Sequence, residues 1–362
     1  MAVSTTKVVV ISIFLIVGMV LAGVLMQPEA SLDAWNIKES DFPANDSREE
    51  KLTFLLNYAV LAPSSHNSQP WKFNVSNDSI LVFADKSRRL QVTDRDQREL
   101  YVSIGCALEN LIVAADHFGY NSSVVYFPGE KDLVAKVVLQ PAANPLNPSR
   151  DARLFSAIRS RQTNRNPYEP RAISEADLET MKSLNSDEDV SIFITRDSAI
   201  RKGFQDLVVQ ANGIQYSDAN FKSELGHWLG QGVMGPTGLQ AKMAQLAVVF
   251  LDMGPEQSKK DALLINSTSY LGFISTAKND SISSLKAGRV LERFWLAATA
   301  LGVSMHPMSQ ALEVGETKVN LTKLLPDSSG MMQVQQAFRL GYAKPGGAHS
   351  TRRPLQEVLM PE

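Results

Sequence analysis

Two short stretches concentrate the side chains that could bind or react. The first is Ala62-Pro63-Ser64-Ser65-His66-Asn67-Ser68-Gln69-Pro70-Trp71, in which two prolines bracket six polar residues. A loop stiffened at both ends and dense in donors and acceptors suits a flat ligand with heteroatom edges. A capped turn that satisfies its own backbone is the structural alternative. The second stretch is Arg159-Ser160-Arg161-Gln162-Thr163-Asn164-Arg165. It lies within a span from Arg150 to Arg171 that carries six arginines against Asp151 and Glu169. Guanidinium groups bind phosphate bidentately, and a hydroxyl between them adds a contact, so Arg161, Thr163 and Arg165 form a candidate site for a phosphate monoester. The alternative is a solvated basic face paired with acids elsewhere in the chain. Arg352 and Arg353, near the C-terminus, make a third basic patch able to close over the same anion.

Composition narrows the field around these stretches. The chain has 362 residues, 44% hydrophobic and 20% charged, which excludes disorder and low-complexity classes. Lys plus Arg number 36 and Asp plus Glu 38, a net charge of -2, which argues against a nucleic-acid binder. Cys106 is the single cysteine, so no intrachain disulfide and no cysteine-built metal site can form. Five scattered histidines, none paired at helical ligand spacing, speak against zinc. Gly230-Gln-Gly232-Val-Met-Gly235 matches the G-x-G-x-x-G pattern, but no strand pattern precedes it, and Pro236 and Gly238 follow where a helix should open. It reads as a mobile Gly-rich loop, a candidate lid over a site.

The elements that must position these groups can be outlined. A helix is predicted from a Ser47–Glu50 capping box, with Leu52, Leu55, Leu56 and Ala59 on one side, ending before Pro63. Strands are predicted at Trp71–Val75 and Ile80–Phe83, a long helix at Gln97–Phe118, and strands at Val124–Phe127 and Val134–Leu139. The proline-rich Pro141–Pro148 reads as a connection between lobes. Beyond it a helix is predicted after Ser174, a strand at Val190–Thr195 and a helix at Ala199–Tyr216. A strand at Leu246–Leu251, a helix at Ser284–Leu301 and a strand at Val334–Gly341 follow. The two long helices match at an offset of 183 residues: Gly105 with Gly288, Leu108 with Leu291, Glu109 with Glu292, and Gly119 with Gly302. An internal duplication accounts for this, with any site between the halves formed within one chain. The mixture of helices and strands without regular βα alternation predicts an α+β fold.

At the N-terminus, Val8–Met26 is an uncharged run of 19 residues whose only polar side chain is Ser12. It predicts a single transmembrane helix that anchors the chain, with a cleaved signal peptide as the alternative. Lys7 before the run and Glu29, Asp33, Glu39 and Asp41 after it place the body outside the cytoplasm. Seven Asn-X-Ser/Thr sequons, from Asn45 to Asn320, point the same way. The expected organisation is a cytoplasmic tip and anchor over 1–30, a linker over 31–46, a first lobe over 47–148 and a second over 149–362.

Taken together, Ala62–Trp71 resembles the A-P-S-x-x-N-x-Q-P-W segment of FMN-dependent nitroreductases. Arg161-Gln-Thr163-Asn-Arg165 is similar to that family's R-x-S-x-R phosphate motif, with threonine in place of serine. Arg352-Arg353-Pro354-Leu355 resembles its closing basic segment, and the helix ending before Val303–Pro307 resembles the one that leads to the flavin's reactive edge. Length and motif order resemble the duplicated, Acg-like branch, over about residues 47 to 359. The resemblance implies a nitroreductase-like fold of two pseudo-symmetric lobes holding FMN between them. Pro63, Ser64, Ser65, Asn67 and Gln69 would line the ring. Arg161, Thr163, Arg352 and Arg353 would face the phosphate, and Arg165 either the phosphate or the N1–C2 edge. Ser47-Arg48-Glu49-Glu50 stands where the first lobe should carry its own phosphate motif, which implies one FMN per chain. The implied activity is electron transfer through flavin N5 to a nitro compound, quinone or similar small acceptor. The donor is NAD(P)H or, outside the cytoplasm, a membrane carrier. A flavin-holding protein without turnover and a reductive dehalogenase are the alternatives.

Overall fold

The computed structural model describes Gly18 and residues 31–143, 152–185, 187–326 and 332–361. In the first half, Arg48–Ala59 (α1) leads through the polar loop to Trp71–Ser76 (β1) and Ser79–Ala84 (β2). Arg98–His117 (α2), Tyr120–Tyr126 (β3) and Leu133–Pro141 (β4) follow. In the second half, Ala152–Ile158 (α3) and Glu175–Ser183 (α4) precede Val190–Thr195 (β5). The helices Ser198–Ser217 (α5), Ala219–Gly230 (α6), Gly238–Phe250 (α7) and Gly254–Ser267 (α8) then intervene before Tyr270–Thr276 (β6). After them come Ser281–Ala300 (α9), Ser304–Pro307 (β7), Gln310–Glu313 (α10), Gly315–Leu324 (α11), Gln333–Gly341 (β8) and Leu355–Val358 (α12).

Each half forms a four-stranded antiparallel sheet, and the two share one order: β1-β2-β4-β3 and β5-β6-β8-β7. In both, the long helix lies between the second and third strands, an arrangement that fits a duplication. The halves differ in what joins their strands. β1 and β2 are linked by the two-residue turn Asn77-Asp78, where Asn77 adopts a φ of 50°. The corresponding link from β5 to β6 has grown into the helices α5 to α8.

The central helices α2 and α9 cross where Gly105 meets Gly288. A Cβ on Gly105 would stand 2.2 Å from the Leu285 carbonyl oxygen, and one on Gly288 would stand 2.1 Å from that of Val102. Only glycine lets the backbones approach this closely. The Cys106 thiol donates to the Gly288 carbonyl at 3.3 Å across the same crossing. Most of both helices is buried, and their apolar side chains join those of α1, α3 and both sheets in one core.

Two expectations are corrected here. The membrane-spanning, extracytoplasmic reading is not sustained: among the described residues no helix is long and apolar enough to cross a membrane. Val8–Met26 itself, apart from Gly18, lies outside the described residues, as do residues 144–148 of the proline-rich connection. The predicted strand Leu246–Leu251 is instead the last turns of α7 and its cap, because a short apolar run carries no period that separates strand from helix. Within residues 31–46, Trp35 is buried and the Phe42 ring stacks on that of Phe118 at 4.4 Å.

Candidate functional site

The polar loop leaves α1 at its C-terminus, because Pro63 cannot continue the helix. Within it His66, Asn67 and Gln69 adopt φ of 49°, 50° and 51°. Left-handed backbone at non-glycine residues costs about 1 to 3 kcal/mol each and persists only where other contacts over-determine it. Those contacts are present. Ser64 Oγ accepts from the Gln69 amide at 2.9 Å, the Asn67 amide donates to the Ser64 carbonyl at 2.9 Å, and the Ser65 amide donates to Ser103 Oγ on α2 at 3.2 Å.

The loop side chains reach into the second half. Asn67 Nδ2 donates to the carbonyls of Val233, at 2.8 Å, and Thr351, at 2.9 Å, while its Oδ1 accepts from Arg352 at 3.2 Å. Gln69 Oε1 accepts from the Arg353 amide at 2.7 Å. Val233 belongs to the Gly-rich turn between α6 and α7, so that turn joins two helices and lies against the polar loop. Glu224 on α6 accepts from the amides of Val92 and Thr93, and Arg88 lies 5.1 Å over the Trp228 ring. The inserted helices are thus fastened to the first half.

Arg161 follows α3 and is almost wholly buried. Its guanidinium lies 4.6 Å over the Trp295 ring, its Nε is 3.4 Å from Glu292 Oε1, and its Nη2 donates to the Leu61 carbonyl at 3.5 Å. Arg352 donates to the same carbonyl at 3.0 Å. Arg161, Arg352 and Asn67, drawn from three distant parts of the sequence, therefore meet at the end of α1. Among the described residues Arg161 Nε and Nη1 and Arg352 Nε are buried without a hydrogen-bond partner. Burial, and secondarily the nearby Arg161, lowers the Arg352 pKa to about 9. Burial raises Glu292 to about 7 in spite of Arg161 and Arg352. Burial is the largest cause in each case and pushes Arg161, Arg352 and Glu292 alike toward neutrality, and the cluster also sets two guanidiniums against one carboxylate away from water. An added anion relieves that imbalance.

The remaining candidates separate. Thr163 forms a parallel bridge to Met305 at β7, and the Asn164 amide donates to the Met305 carbonyl at 3.1 Å, so the arginine run is threaded along that strand. Arg165 is exposed and lies electrostatically near Asp261 and Tyr168, not beside Arg161. Arg353 turns away from the cluster: its guanidinium approaches Asp85 at 3.4 Å and Glu357 at 3.5 Å. Pro63, Ser64 and Ser65 form the wall of the loop, half-buried. On β7, His306 Nδ1 accepts from Arg339 at 3.0 Å, and burial with Arg165 and Arg339 nearby holds its pKa well below the usual value, so the ring is neutral.

Several members of the cluster lie outside the motifs: Glu292, Trp295, His349 and Trp35. Glu292 left one signal in the sequence, a carboxylate at the centre of an apolar helix and in register with Glu109. Trp35 and His349 left none, because they meet through the tertiary fold alone.

No protein-family model matches the chain. Among curated proteins it is 28% identical over 321 residues to the putative NAD(P)H nitroreductase Rv3131 of Mycobacterium tuberculosis, covering 86% of this chain and 91% of that one. It is 26% identical over 316 residues to the putative NAD(P)H nitroreductase acg of the same organism, covering 83% and 92%. Among solved structures, the FMN-dependent nitroreductase NfnB from Mycobacterium smegmatis in complex with NADPH aligns with a TM-score of 0.40 at 13% identity, over 58% of this chain and 98% of that one. The motif resemblance to nitroreductases of the Acg-like branch is borne out by the curated relatives along most of the chain.

Proposed function

We propose that this chain, a relative of proteins named NAD(P)H nitroreductase, is an FMN-dependent oxidoreductase that passes electrons from a nicotinamide donor to a small organic acceptor such as a nitro compound or quinone. The observation that carries the reading is the meeting of Asn67, Arg161 and Arg352 at the Leu61 carbonyl, with buried guanidinium N–H groups left for an anion. The residues fit the cofactor. Arg161 and Arg352 would hold the phosphate, with Thr163 beside them. Pro63, Ser64, Ser65, Asn67 and Gln69 would line the ring. Arg353 acts through its amide on Gln69, and Arg165 lies farther along β7. FMN, when bound, supplies a ring that takes up and releases a hydride.

The chain's own part is to bind, orient and exclude water. The strained loop presents fixed donors and acceptors with little left to order on binding. The Gly-rich turn at Val233 lies against that loop, and α6 is tied to the first half through Glu224, so the inserted helices would cover a flavin bound there. The same cover favours a second reading, a protein that retains flavin without turnover. Steady-state reduction of quinones and nitroaromatics by NAD(P)H, set against flavin content, separates the two. The duplication supports lobes over 47–148 and 149–362, with the cofactor between them.

Binding of FMN and riboflavin to two variants tests the site. A charge-assisted hydrogen bond contributes roughly 1.5 to 3 kcal/mol. Arg161→Ala should therefore weaken FMN by about one to two orders of magnitude and leave riboflavin nearly unchanged. Asn67→Ala should weaken both ligands alike. Fluorescence-quenching titrations read each affinity, and circular dichroism confirms that the variants fold. Equal losses of FMN and riboflavin in Arg161→Ala would make the arginine run an inter-lobe ion-pair face instead.

A further inference from the structure

We infer that Trp35, which precedes both halves, caps the phosphate end of the cofactor site and restricts it to a flavin that ends in a phosphate monoester. This rests on the FMN reading above. The indole is buried, its Nε1 donates to the Ser350 carbonyl at 2.9 Å, and its ring stacks on His349 at 3.9 Å with an angle of 18° between the planes. The Arg352 guanidinium lies 4.9 Å over the same ring, and the Arg352 amide donates to the Ser31 carbonyl at 3.1 Å. Arg159 approaches the Trp35 carbonyl at 3.5 Å.

Arg352 is therefore held on two sides. Its N–H groups point to Leu61 and Asn67, where the first half begins to form the site, and its face rests on Trp35. A guanidinium fixed in this way keeps its orientation toward an anion at low entropic cost. The stack of Trp35 on His349 lies against the basic cluster: His349 is lowered by burial first, then by Arg161, Arg352 and Arg159. A phosphate monoester ends the ligand within the cluster. A dinucleotide such as FAD must continue through a second phosphate and an adenosine, and to pass this end of the cluster it would have to displace the Trp35–His349 stack. Trp35 is thus a positioning residue that acts through Arg352 and also sets specificity.

The test titrates the full chain with FMN, FAD and riboflavin, comparing Trp35→Ala and Trp35→Phe with the wild type. The wild type should prefer FMN to FAD by about two orders of magnitude. Trp35→Ala should weaken FMN by about tenfold, strengthen FAD by about tenfold and leave riboflavin unchanged. Trp35→Phe keeps a ring on His349 and loses the hydrogen bond to Ser350, so it should retain most of the discrimination. A purely structural role would move all three ligands together. If the wild type binds FMN and Trp35→Ala leaves the FMN/FAD ratio unchanged, the cap is refuted while the FMN reading stands. A wild type that binds none of the three refutes both.

Discussion

Replacing Gly288 with alanine tests whether the crossing of the two central helices sets the spacing of the molecule. The added Cβ would stand 2.1 Å from the Val102 carbonyl oxygen and 2.8 Å from its carbonyl carbon, all backbone atoms with no flexible side chain to yield. Carbon contacts settle at about 3.5 Å, so α2 and α9 would have to part by roughly 1 Å or more. Overpacking of this kind costs typically about 1 to 3 kcal/mol, and the backbone-on-backbone clash places Gly288→Ala near 3 kcal/mol. Unfolding entropy near 60 °C is about 2.1 cal/mol/K per residue, or about 0.7 kcal/mol/K for the 318 described residues, which converts the cost to a fall in Tm of about 4 °C. Gly213 on α5 is the control. It is exposed and its Cβ would meet open space, so Gly213→Ala should raise stability by about 0.5 to 1 kcal/mol. Adding Gly105→Ala to Gly288→Ala should cost less than the two single changes combined, because the first separation makes room for the second. Scanning calorimetry at one scan rate reads the wild type and the four variants. A Gly288→Ala melting within about 1 °C of wild type would refute the close-crossing argument.

Two further outcomes follow from the buried charges. Acid extraction should release one FMN per chain, and two per chain would show that the second half-site still binds. Glu292 faces Arg161, Arg352, Glu109 and Asn110, and burial raises its folded pKa from 4.5 to about 7. A carboxyl group that holds its proton more tightly when folded stabilises the fold fully below pH 4.5, and the contribution is lost as pH rises through 7. By linkage it is worth about 3 kcal/mol. Urea midpoints of wild type should therefore fall between pH 5 and 8 more steeply than those of Glu292→Gln, and identical slopes would contradict the assignment.

Local signals in the sequence were strong where chemistry and geometry coincide within a few residues. The Ser47–Glu50 box forms as read, with Ser47 Oγ accepting from the Glu50 amide at 3.2 Å and the Glu50 carboxylate accepting from the Ser47 amide at 2.9 Å. Gly105 and Gly288, noticed as a repeat, meet at the crossing of α2 and α9, as a duplication would place them. The helices between β5 and β6 were mostly illegible. α7 exposes Leu239, Met243 and Phe250, so its apolar residues do not mark a single buried face. β6 lies buried on both faces and lacks the alternation that marks a half-exposed strand. At the site, Asn67 and Arg161 were legible because their motifs are compact. The contact of Trp35 with Ser350 spans 315 positions and has no local trace. Arg353 was diverted by Asp85, a carboxylate that no spacing rule ties to it, and by Glu357 four residues on, a pairing the sequence does offer.

The expectation of a single cofactor can be set against the differences between the two halves. Glu109 and Glu292 are images of each other on α2 and α9, and so are Asn110 and Arg293. Asn110 donates to the Tyr58 carbonyl in α1 at 3.3 Å, and Arg293 donates to the Leu184 carbonyl at the end of α4 at 3.1 Å. The two positions have kept their place and exchanged their chemistry. On the Glu292 side the cations come from Arg161 and Arg352, and some of their N–H groups remain unpartnered. On the Glu109 side both cations come from α9: Arg293 grips the carboxylate at 2.7 and 2.9 Å, and Arg289 binds it at 3.0 Å while also reaching the Tyr126 hydroxyl. Cys106 stands on α2 where α9 has Arg289, so the first helix cannot return the same clamp to Glu292. Arg48, the cation nearest the missing first-lobe motif, donates instead to the Leu139 carbonyl on β4. The cleft of about 430 Å³ beside Arg289 and Arg293 is bordered by Asp187, Glu188, Asp189 and Lys286, and Lys286 is already paired with two of those acids. A phosphate dianion entering there would meet satisfied cations and an excess of carboxylates, whereas at Leu61 it meets guanidiniums short of counter-charge. Arg289 and Arg293 on α9 thus occupy the Glu109 carboxylate from within the helix pair, whereas Glu292 on the same helix meets Arg161 and Arg352 from outside it.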